Sequence, residues 1–305
     1  DFLKSSTNGQ YVFVHCSDEL DKLYISTDFG VTFTASNTTS IDDNFDIRRR
    51  IGISNDGKYI IIVGGNKIAI STNYGTSFST GFSISTKTYT CATISGDGKH
   101  IFVGTDNDQL YTSSDYGATE PVPHTELPIS TGGPNGDEKH YWRYIVTNLT
   151  GKYTIAFTVD SLGANQKYWV FNGDTQSVSE YDNSKSFNSA ITYDIPKTMY
   201  LLDDGAFLFF QVDATKKLKR VPLAGIDNLS TATPVDVYTS TATTCDFDIT
   251  FTTSSGITYA YIINKAASGK IIVSNNCRAT TPIFAEDNFS TAFTYTSIAT
   301  SGHGG

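Results

Sequence analysis

A short motif that occurs three times constrains the fold of this chain more than any other feature. It reads Ser-x-Asp/Asn-aromatic-Gly-x-Ser/Thr and lies within residues 23–33, 68–78 and 110–120. A Ser-x-Asn/Asp-Gly turn precedes each copy, starting at Ser6, Ser54 and Ser95, and an apolar run follows each of these turns. Tight Asn-Gly and Asp-Gly turns beside apolar runs are typical of β-hairpins. The pattern therefore predicts a repeated unit of four antiparallel strands.

Fainter copies extend the repeat along the rest of the chain. The turn Asp or Asn falls at Asp28, Asn73, Asp115, Asn172, Asp213 and Asn276. Four-stranded units that recur every ~40–50 residues stack radially into a β-propeller. The composition is even along the chain and no linker interrupts it. We therefore predict an all-β fold with a single β-propeller domain over residues 1–305 and six blades of four antiparallel strands, with seven blades as the alternative.

The C-terminal residues bear on the number of blades. Residues 293–301 look like a further first strand, and Ser301-Gly-His-Gly-Gly305 is similar to Ser95-Gly-Asp-Gly-Lys99. We expect this last strand to join the first blade and close the ring. The alternative is a seventh unit that is cut short or that continues into a neighbouring module.

The motif resembles the Asp-box, or BNR, repeat of sialidases, xyloglucan-degrading glycosidases, sortilin-type receptors and photosystem assembly factors. The resemblance is good at residues 26–33 and 71–78 and fair at 113–120, where Glu120 replaces the aromatic residue. In the three fainter copies the Gly position holds Asp174, Thr215 and Arg278. The resemblance implies a propeller whose box residues hold the turn together, away from the active face. These structural residues are Ser26, Asp28, Gly30, Ser71, Asn73, Gly75, Ser113, Asp115 and Gly117.

Charge and hydropathy narrow the classes of partner. The net charge is −9, which disfavours binding to the phosphate backbone of nucleic acids. The sequence has no apolar run of the roughly 20 residues that a membrane-spanning helix needs, so we predict no membrane span. Asp1 does not look like a native start, which favours a mature or trimmed product.

Sequons and cysteines favour the secretory route and an extracellular location. Four Asn-x-Ser/Thr sequons predict N-glycosylation at Asn37, Asn148, Asn228 and Asn288. The even number of cysteines suggests disulfides. The disulfide candidates are Cys16, Cys91, Cys245 and Cys277. We favour a pair between Cys16 and Cys245, because a six-bladed ring places them in adjacent units; the other two connectivities stay open.

No set of residues in the sequence stands out as catalytic. Sialidases use three arginines, the first of them in an Arg-Ile-Pro context before the first box, whereas the first arginines here are Arg48–Arg50. A glycosidase needs two facing carboxylates, and none of the many candidates is distinguished by its context. The xyloglucan-type enzymes also use two tandem propellers, whereas one is present here. We predict no catalytic site, no metal site and no cofactor, and interpret Asp106–Asp108 as a polar turn rather than a calcium site.

These observations lead to a hypothesis about function. We expect a non-enzymatic secreted glycoprotein that acts as an extracellular structural or assembly subunit, in a fibre, coat or matrix, and that self-associates. The alternatives are an extracellular adhesion or glycan- or protein-binding propeller and a glycoside hydrolase of sialidase-like fold. Trp142 could serve a binding surface if it lies on a loop, but a place in the core is the simpler interpretation for Trp142 and Trp169.

Overall fold

The computed structural model describes most of the chain as short β-strands joined by turns. The described residues are 2–16, 22–36, 51–82, 88–106, 110–124, 141–159, 166–172, 177–182, 196–212, 216–223, 234–240, 247–264, 270–288 and 298. Within these ranges every regular element is a strand, and none is a helix. The same residues therefore contain no helix able to cross a membrane.

The first three blades take four consecutive strands each. Blade one contains β1 (Phe2–Ser5), β2 (Val12–Cys16), β3 (Lys22–Ser26) and β4 (Thr34–Ala35). Blade two contains β5 (Ile51–Ile53), β6 (Ile60–Gly64), β7 (Lys67–Ser71) and β8 (Ser79–Phe82). Blade three contains β9 (Tyr89–Ile94), β10 (Ile101–Thr105), β11 (Tyr111–Ser113) and β12 (Val122–Pro123).

The other three blades repeat this plan with longer strands. Blade four contains β13 (Tyr141–Thr147), β14 (Tyr153–Val159), β15 (Gln166–Asn172) and β16 (Ser177–Asp182). Blade five contains β17 (Pro196–Leu201), β18 (Phe207–Val212), β19 (Lys217–Pro222) and β20 (Val235–Thr239). Blade six contains β21 (Phe247–Ser254), β22 (Ile257–Asn264), β23 (Lys270–Ser274) and β24 (Ala285–Asn288).

Each sheet places its strands in sequence order, and every neighbouring pair is antiparallel. The first strands of blades two to six contact one another in order, from β5 through β9, β13 and β17 to β21. These strands therefore lie innermost, along the channel. The predicted all-β propeller with six four-stranded blades is confirmed.

The core lies between blades rather than at the centre of the ring. Strand β6 shows why, because Ile60, Ile61, Ile62 and Val63 are all buried, so both faces of its sheet are covered. Five apolar clusters each join two successive blades, from blades one and two to blades five and six. Among the described residues no such cluster joins blade six to blade one.

One detail of the sequence interpretation was wrong, and another remains a prediction. Residue 213 lies between β18 and β19, not in the turn between a third and a fourth strand, so the faint copy at Asp213 was placed one strand out of register. The four strands of the first sheet all come from residues 2–35. The proposed closing strand, 293–301, lies outside the described residues except for Ile298, whose amide donates to Asp248 Oδ2 on β21.

Candidate functional site

The propeller has two ends that differ in how the chain crosses them. At the turn end, each first strand turns into the second and each third strand turns into the fourth. We call these the inner turns and the outer turns. At the other end, called here the loop end, second strands end and third strands begin, and each fourth strand ends where the connection to the next blade starts. The longest of these connections between blades are 36–50, 124–140 and 183–195.

The outer turns carry the repeated motif and are held by their own side chains. In blade one, Ser26 Oγ donates to Asp28 Oδ1 (2.7 Å) and accepts from the Gly30 amide (2.8 Å). The other Asp28 contacts come from Thr32, whose amide and hydroxyl both donate to the carboxylate at 2.8 and 2.6 Å. These bonds, chiefly those from Thr32 and then that from Ser26, lower the pKa of Asp28 to about 2.

The same geometry recurs in three other blades. Ser71 and Asn73 form it in blade two, where Asn73 Nδ2 also donates to Ser77 Oγ (2.9 Å). In blade three Ser113 donates to Asp115, whose pKa is lowered by hydrogen bonds from Ser113 and Thr119. In blade six Ser274 donates to Asn276 (3.1 Å).

In the outer turns of blades one to three, the aromatic residue and the glycine adopt positive φ angles. Phe29, Tyr74 and Tyr116 have φ between 60° and 63°, and the glycine that follows each has φ between 70° and 83°. A non-glycine residue in this region is strained, so the Ser and Asp/Asn hydrogen bonds must hold the backbone there.

The inner turns bond to one another around the channel. Thr7 donates to the Asn55 carbonyl (2.6 Å) and Asn55 to the Gly96 carbonyl (2.7 Å). Asp97 then donates to Leu149 O (2.8 Å), and Leu149 to Asp203 O (3.1 Å). Blades one to five are therefore linked at the turn end by backbone hydrogen bonds.

One side-chain contact crosses the channel at this end. Asn55 Nδ2 of blade two donates to Asp203 Oδ2 of blade five (3.2 Å), and blades two and five are not neighbours. Lys4 donates to Ile53 O (2.5 Å). Burial lowers the pKa of Lys4 to about 8, although the negative charge of Asp203 acts to raise it. The turn end of the channel is therefore narrowed by the protein's own polar groups.

A second polar contact joins two innermost strands. Tyr200 on β17 donates to Asp248 Oδ1 on β21 at 2.5 Å. Burial and the neighbouring carboxylate raise the pKa of Tyr200 well above its usual value. Asp248 also accepts from the Ile298 amide (3.2 Å), so this carboxylate holds part of the C-terminal segment to blade six.

Seam five–six, the interface between blades five and six, is held by an arginine that the sequence did not single out. Arg220 on β19 is only 3% exposed and donates to the carbonyls of Cys277, Ala279 (2.8 Å) and Thr280 (3.5 Å). Burial lowers its pKa. Arg278, in turn, binds Asp204 and Thr258. No motif marks Arg220, because its partners are backbone carbonyls some 57 residues away.

The residues singled out from the sequence fall in different places. Trp142 and Trp169 lie on β13 and β15, are buried and contact each other, with ring centroids 6.1 Å apart. Residues 48–50 lie outside the described residues, as do Asn107 and Asp108. Within the described part of the chain, no three His, Cys, Asp or Glu side chains are grouped to hold a metal ion.

The sequons are not equivalent in the structure. Asn148 is only 4% exposed, and its Oδ1 accepts from the Tyr153 amide (2.9 Å), so it occupies the place of the Ser in an inner turn. A glycan on this side chain would disrupt the turn, and we no longer expect one there. Asn37 and Asn228 lie outside the described residues, and Asn288 ends β24.

The cysteines also separate into two groups. Cys91 on β9 and Cys277, after β23, are both buried thiols in the structure. Burial raises the pKa of the Cys277 thiol. Cys245 lies outside the described residues and the side chain of Cys16 is not described, so their disulfide stays a prediction.

Comparisons with known proteins show the fold. No protein-family model matches the sequence, and no curated protein matches it significantly. The β-propeller domain of Myceliophteria thermophila Cps50 (Swd1) is similar over 99% of this chain and 89% of its own, at 11% identity and a TM-score of 0.64.

Two glycoside hydrolase family 74 structures are also similar. An ancestral GH74 enzyme matches 93% of this chain at 11% identity and a TM-score of 0.63. The GH74 xyloglucanase of Xanthomonas campestris matches 92% of it at 12% identity and a TM-score of 0.58. This chain spans 40% and 45% of those two proteins. At such identities the likeness shows the propeller fold alone.

Proposed function

We propose that the protein is a secreted, non-catalytic propeller of the Asp-box type that acts as an extracellular structural or assembly subunit. Its partners, including further copies of itself, bind at the loop end.

The observation that carries this proposal is the difference between the two ends of the propeller. At the turn end the inner turns bond to one another, and Asn55 and Asp203 meet across the channel. Their polar groups are thereby used within the chain. The longest connections between blades, at 36–50, 124–140 and 183–195, join strand ends that lie at the loop end. Binding residues concentrate on such connections when a rigid scaffold positions them.

The Asp-box assignment is supported by the outer turns. Ser26 and Asp28 cap the backbone of their turn, and Ser71 with Asn73 does so in the next blade. The Gly that follows has a positive φ in blades one to three. A secreted location is supported by the sequons at Asn37, Asn228 and Asn288.

The experiment that tests the function is the mass of the native protein by light scattering over a range of concentrations. We expect defined assemblies, and we expect replacement of residues 125–139 by a Gly/Ser segment of equal length to abolish them. Ile257→Ser is the matched control, because Ile257 is exposed at the turn end and lies outside the proposed surface.

Two results would contradict the proposal. One is a monomer at every concentration. The other is turnover of a glycoside substrate that is lost with a single carboxylate. Loss of assembly in both the loop replacement and Ile257→Ser would show a general folding defect, and circular dichroism of the two variants would identify it.

A further inference from the structure

An amino group lies in the channel close to its turn end. Lys4 is on β1, two residues before Ser6, where the inner turn of blade one begins. Its Nζ donates to the carbonyl of Ile53 on β5 of blade two, and the negative charge of Asp203 in blade five acts on it. Blade five is a neighbour of neither blade one nor blade two, so this amino group faces the channel rather than a seam between adjacent blades.

Lys4 differs from the residues that hold the same position in other blades. The residue two places before the start of the inner turn is Gly52 in blade two, Thr93 in blade three, Val146 in blade four and Tyr200 in blade five. None of these four side chains carries a charge at neutral pH. Desolvating a cation is costly, so the repeat gains nothing in packing from a lysine at this position.

The inner turns close the space beyond Lys4. A Cβ on Gly96 would lie 2.6 Å from Leu149 Cδ1 and 2.9 Å from Asn55 Nδ2, and Asn55 in turn donates to Asp203. We call Asn55, Gly96, Leu149 and Asp203, which come from blades two to five, the channel floor. Because the channel floor fills the turn end, the open route to Lys4 runs along the channel from the loop end.

The contacts of Lys4 leave its nitrogen able to act as a nucleophile. The side chain is half-buried, so part of it remains accessible. Burial lowers the pKa of Lys4 to about 8. About a tenth of such an amine is neutral at pH 7, and the neutral form still has two N–H groups, one of which can keep the bond to Ile53 O. Its lone pair is then free, which is the state that buried lysines use to form Schiff bases.

We propose that Lys4 binds small aldehydes covalently in the channel, as an imine between Nζ and the carbonyl carbon. The Nζ lone pair attacks the carbonyl carbon and forms the C–N bond, and the carbonyl oxygen takes both amine protons and leaves as water. The imine nitrogen then takes a proton from solvent. The resulting iminium N–H donates to Ile53 O, as the amine did, and the carboxylate of Asp203 is its counter-charge.

Charge and space define the class of ligand. The carboxylate of Asp203 lies at the same end of the channel and would repel a carboxylate or phosphate on the ligand. The net charge of −9 acts in the same direction. The channel floor leaves room for a short molecule rather than a long one. We therefore expect a small neutral aldehyde, such as the open-chain form of a three-carbon sugar.

This adduct is a binding event and needs no turnover. It does not depend on the proposed function, which concerns partners at the loop end. Loss of assembly would leave the reactivity of Lys4 unchanged, and an unreactive Lys4 would leave the assembly unchanged.

The test compares two lysines in the same folded protein. The 305-residue chain is treated briefly at pH 7 with glyceraldehyde and cyanoborohydride, which reduces each iminium to a stable amine. Tandem mass spectrometry then measures the adduct at every lysine and separates Lys4 from the N-terminal amine. The reference is Lys99, an exposed lysine in the inner turn of blade three.

We expect Lys4 to react at least about tenfold faster than Lys99. Near pH 7 the neutral fraction of an amine is roughly a hundredfold larger at a pKa of about 8 than at 10.4, and restricted access removes part of this advantage. The excess should disappear in urea, where both lysines are exposed. Lys4→Met should remove the fast phase of labelling, whereas Lys99→Met should leave it unchanged.

Two further comparisons test the role of Asp203. Asp203→Asn keeps the shape of the side chain but removes the counter-charge, and we expect less adduct at equilibrium when the mixture is quenched with borohydride. Asp204→Asn is the matched control, because the neighbouring carboxylate pairs with Arg278 instead and should not affect the yield. The preference for Lys4 over Lys99 should also be smaller with the anionic aldehyde glyoxylate than with glyceraldehyde.

Three results would overturn the inference. The first is a Lys4 that reacts no faster than Lys99 in the folded protein, and this measurement needs no variant to fold. The second is an excess at Lys4 that persists in urea, since the local sequence rather than the channel would then cause it. The third is an adduct at Lys4 that is as abundant in Asp203→Asn as in the parent protein.

Discussion

Tyr74 and Phe29 occupy the same position of the same turn, yet Tyr74 stacks on Tyr11 whereas most of the Phe29 ring faces solvent. The hydrogen bonds within the two turns are nearly identical. In both, a Ser hydroxyl accepts from the glycine amide, at 2.8 Å in blade one and 2.9 Å in blade two. The conformation of the turn therefore does not depend on a neighbouring blade.

The comparison separates two kinds of stabilisation. Contacts within a turn join residues two to four positions apart and form in every copy that has the right side chains. Contacts between blades require a surface from another unit. They bury apolar area, which contributes about 25 cal/mol per Å². Seam one–two, between blades one and two, has both kinds, whereas among the described residues the outer turn of blade one shows only the first.

The largest expected difference between the outer turns of blades one and two is in the loss of stability when the turn glycine is replaced by alanine. Gly75→Ala places a methyl group against Ile25 in a filled seam, whereas Gly30→Ala places one in ordinary contact with Val12 of its own blade, at 3.9 Å. Both substitutions cost about 1 kcal/mol, because alanine is strained at a positive φ. Only Gly75→Ala adds a cost of overpacking, of about 1–3 kcal/mol. Urea unfolding should show the larger loss of stability for Gly75→Ala. Equal losses would contradict the account of an uncovered blade-one face.

A second large effect is expected where a charged side chain holds seam five–six. Arg220→Ala removes the donors to the Cys277 and Ala279 carbonyls and leaves these groups without them. Each lost hydrogen bond to a charged group costs about 1.5–3 kcal/mol. Arg278→Ala removes an exposed ion pair with Asp204, worth at most about 1 kcal/mol, and one hydrogen bond to Thr258, so it should cost less than Arg220→Ala. Thermal unfolding of the two variants measures the difference, and a larger loss for Arg278→Ala would reverse our ranking.

The contribution of Lys4, on the channel side of seam one–two, to the stability of the protein should depend on pH. Burial lowers the pKa of Lys4 to about 8, from about 10.4 in the unfolded chain. Between these values the unfolded state binds more protons, so the Lys4 contribution to stability rises with pH. The advantage of Lys4→Met over the parent protein should therefore be largest below pH 8 and should shrink from about pH 8 to about pH 10.5. Denaturation midpoints of both proteins across this pH range test the prediction. A difference between them that does not change with pH would contradict the lowered pKa of Lys4.

The smallest effect concerns the turn of blade one itself. The folded-state pKa of Asp28 is about 2, below its value of about 3.9 in an unfolded chain. Its stabilising contribution is therefore complete above about pH 4 and is lost as the pH falls to about 2. Asp28→Asn copies the residue of blade two and should remove this dependence. The fall in melting temperature from pH 5 to pH 2 should be smaller in Asp28→Asn than in the parent protein. An equal fall in both proteins would show that the hydrogen bonds to Asp28 are not its cause.

The strong copies of the repeat could be predicted well because their signals are local. Ser6, Ser54 and Ser95 start inner turns at the predicted positions, and each turn glycine has a positive φ. The faint copy at Asp213 was misplaced by one strand. Phe207–Val212 is an apolar run that fits a second strand as well as a third, and no turn motif marks the connection between β19 and β20.

The candidate site could be predicted only in part. Asn55 and Asp203 hold the same position in two inner turns, a correspondence visible in the sequence. Their contact across the channel was not predictable, because it depends on the angle through which blades two to five rotate around the axis. Asn148 illustrates the same limit: its sequon indicates a glycan, but its burial as a turn cap is set by the inner turn of blade four.

The amino-acid sequence by itself determined the four-stranded unit, its repetition and the conformation of its turns, because these depend on hydrogen bonds and φ preferences within a few residues. The tertiary structure decided which copies of a turn are covered. Tyr74 and Phe29 are equivalent in sequence, and only the presence of blade one beside blade two distinguishes them. Burial is a property of pairs of units, so the same local motif yields a filled interface in one place and an exposed face in another.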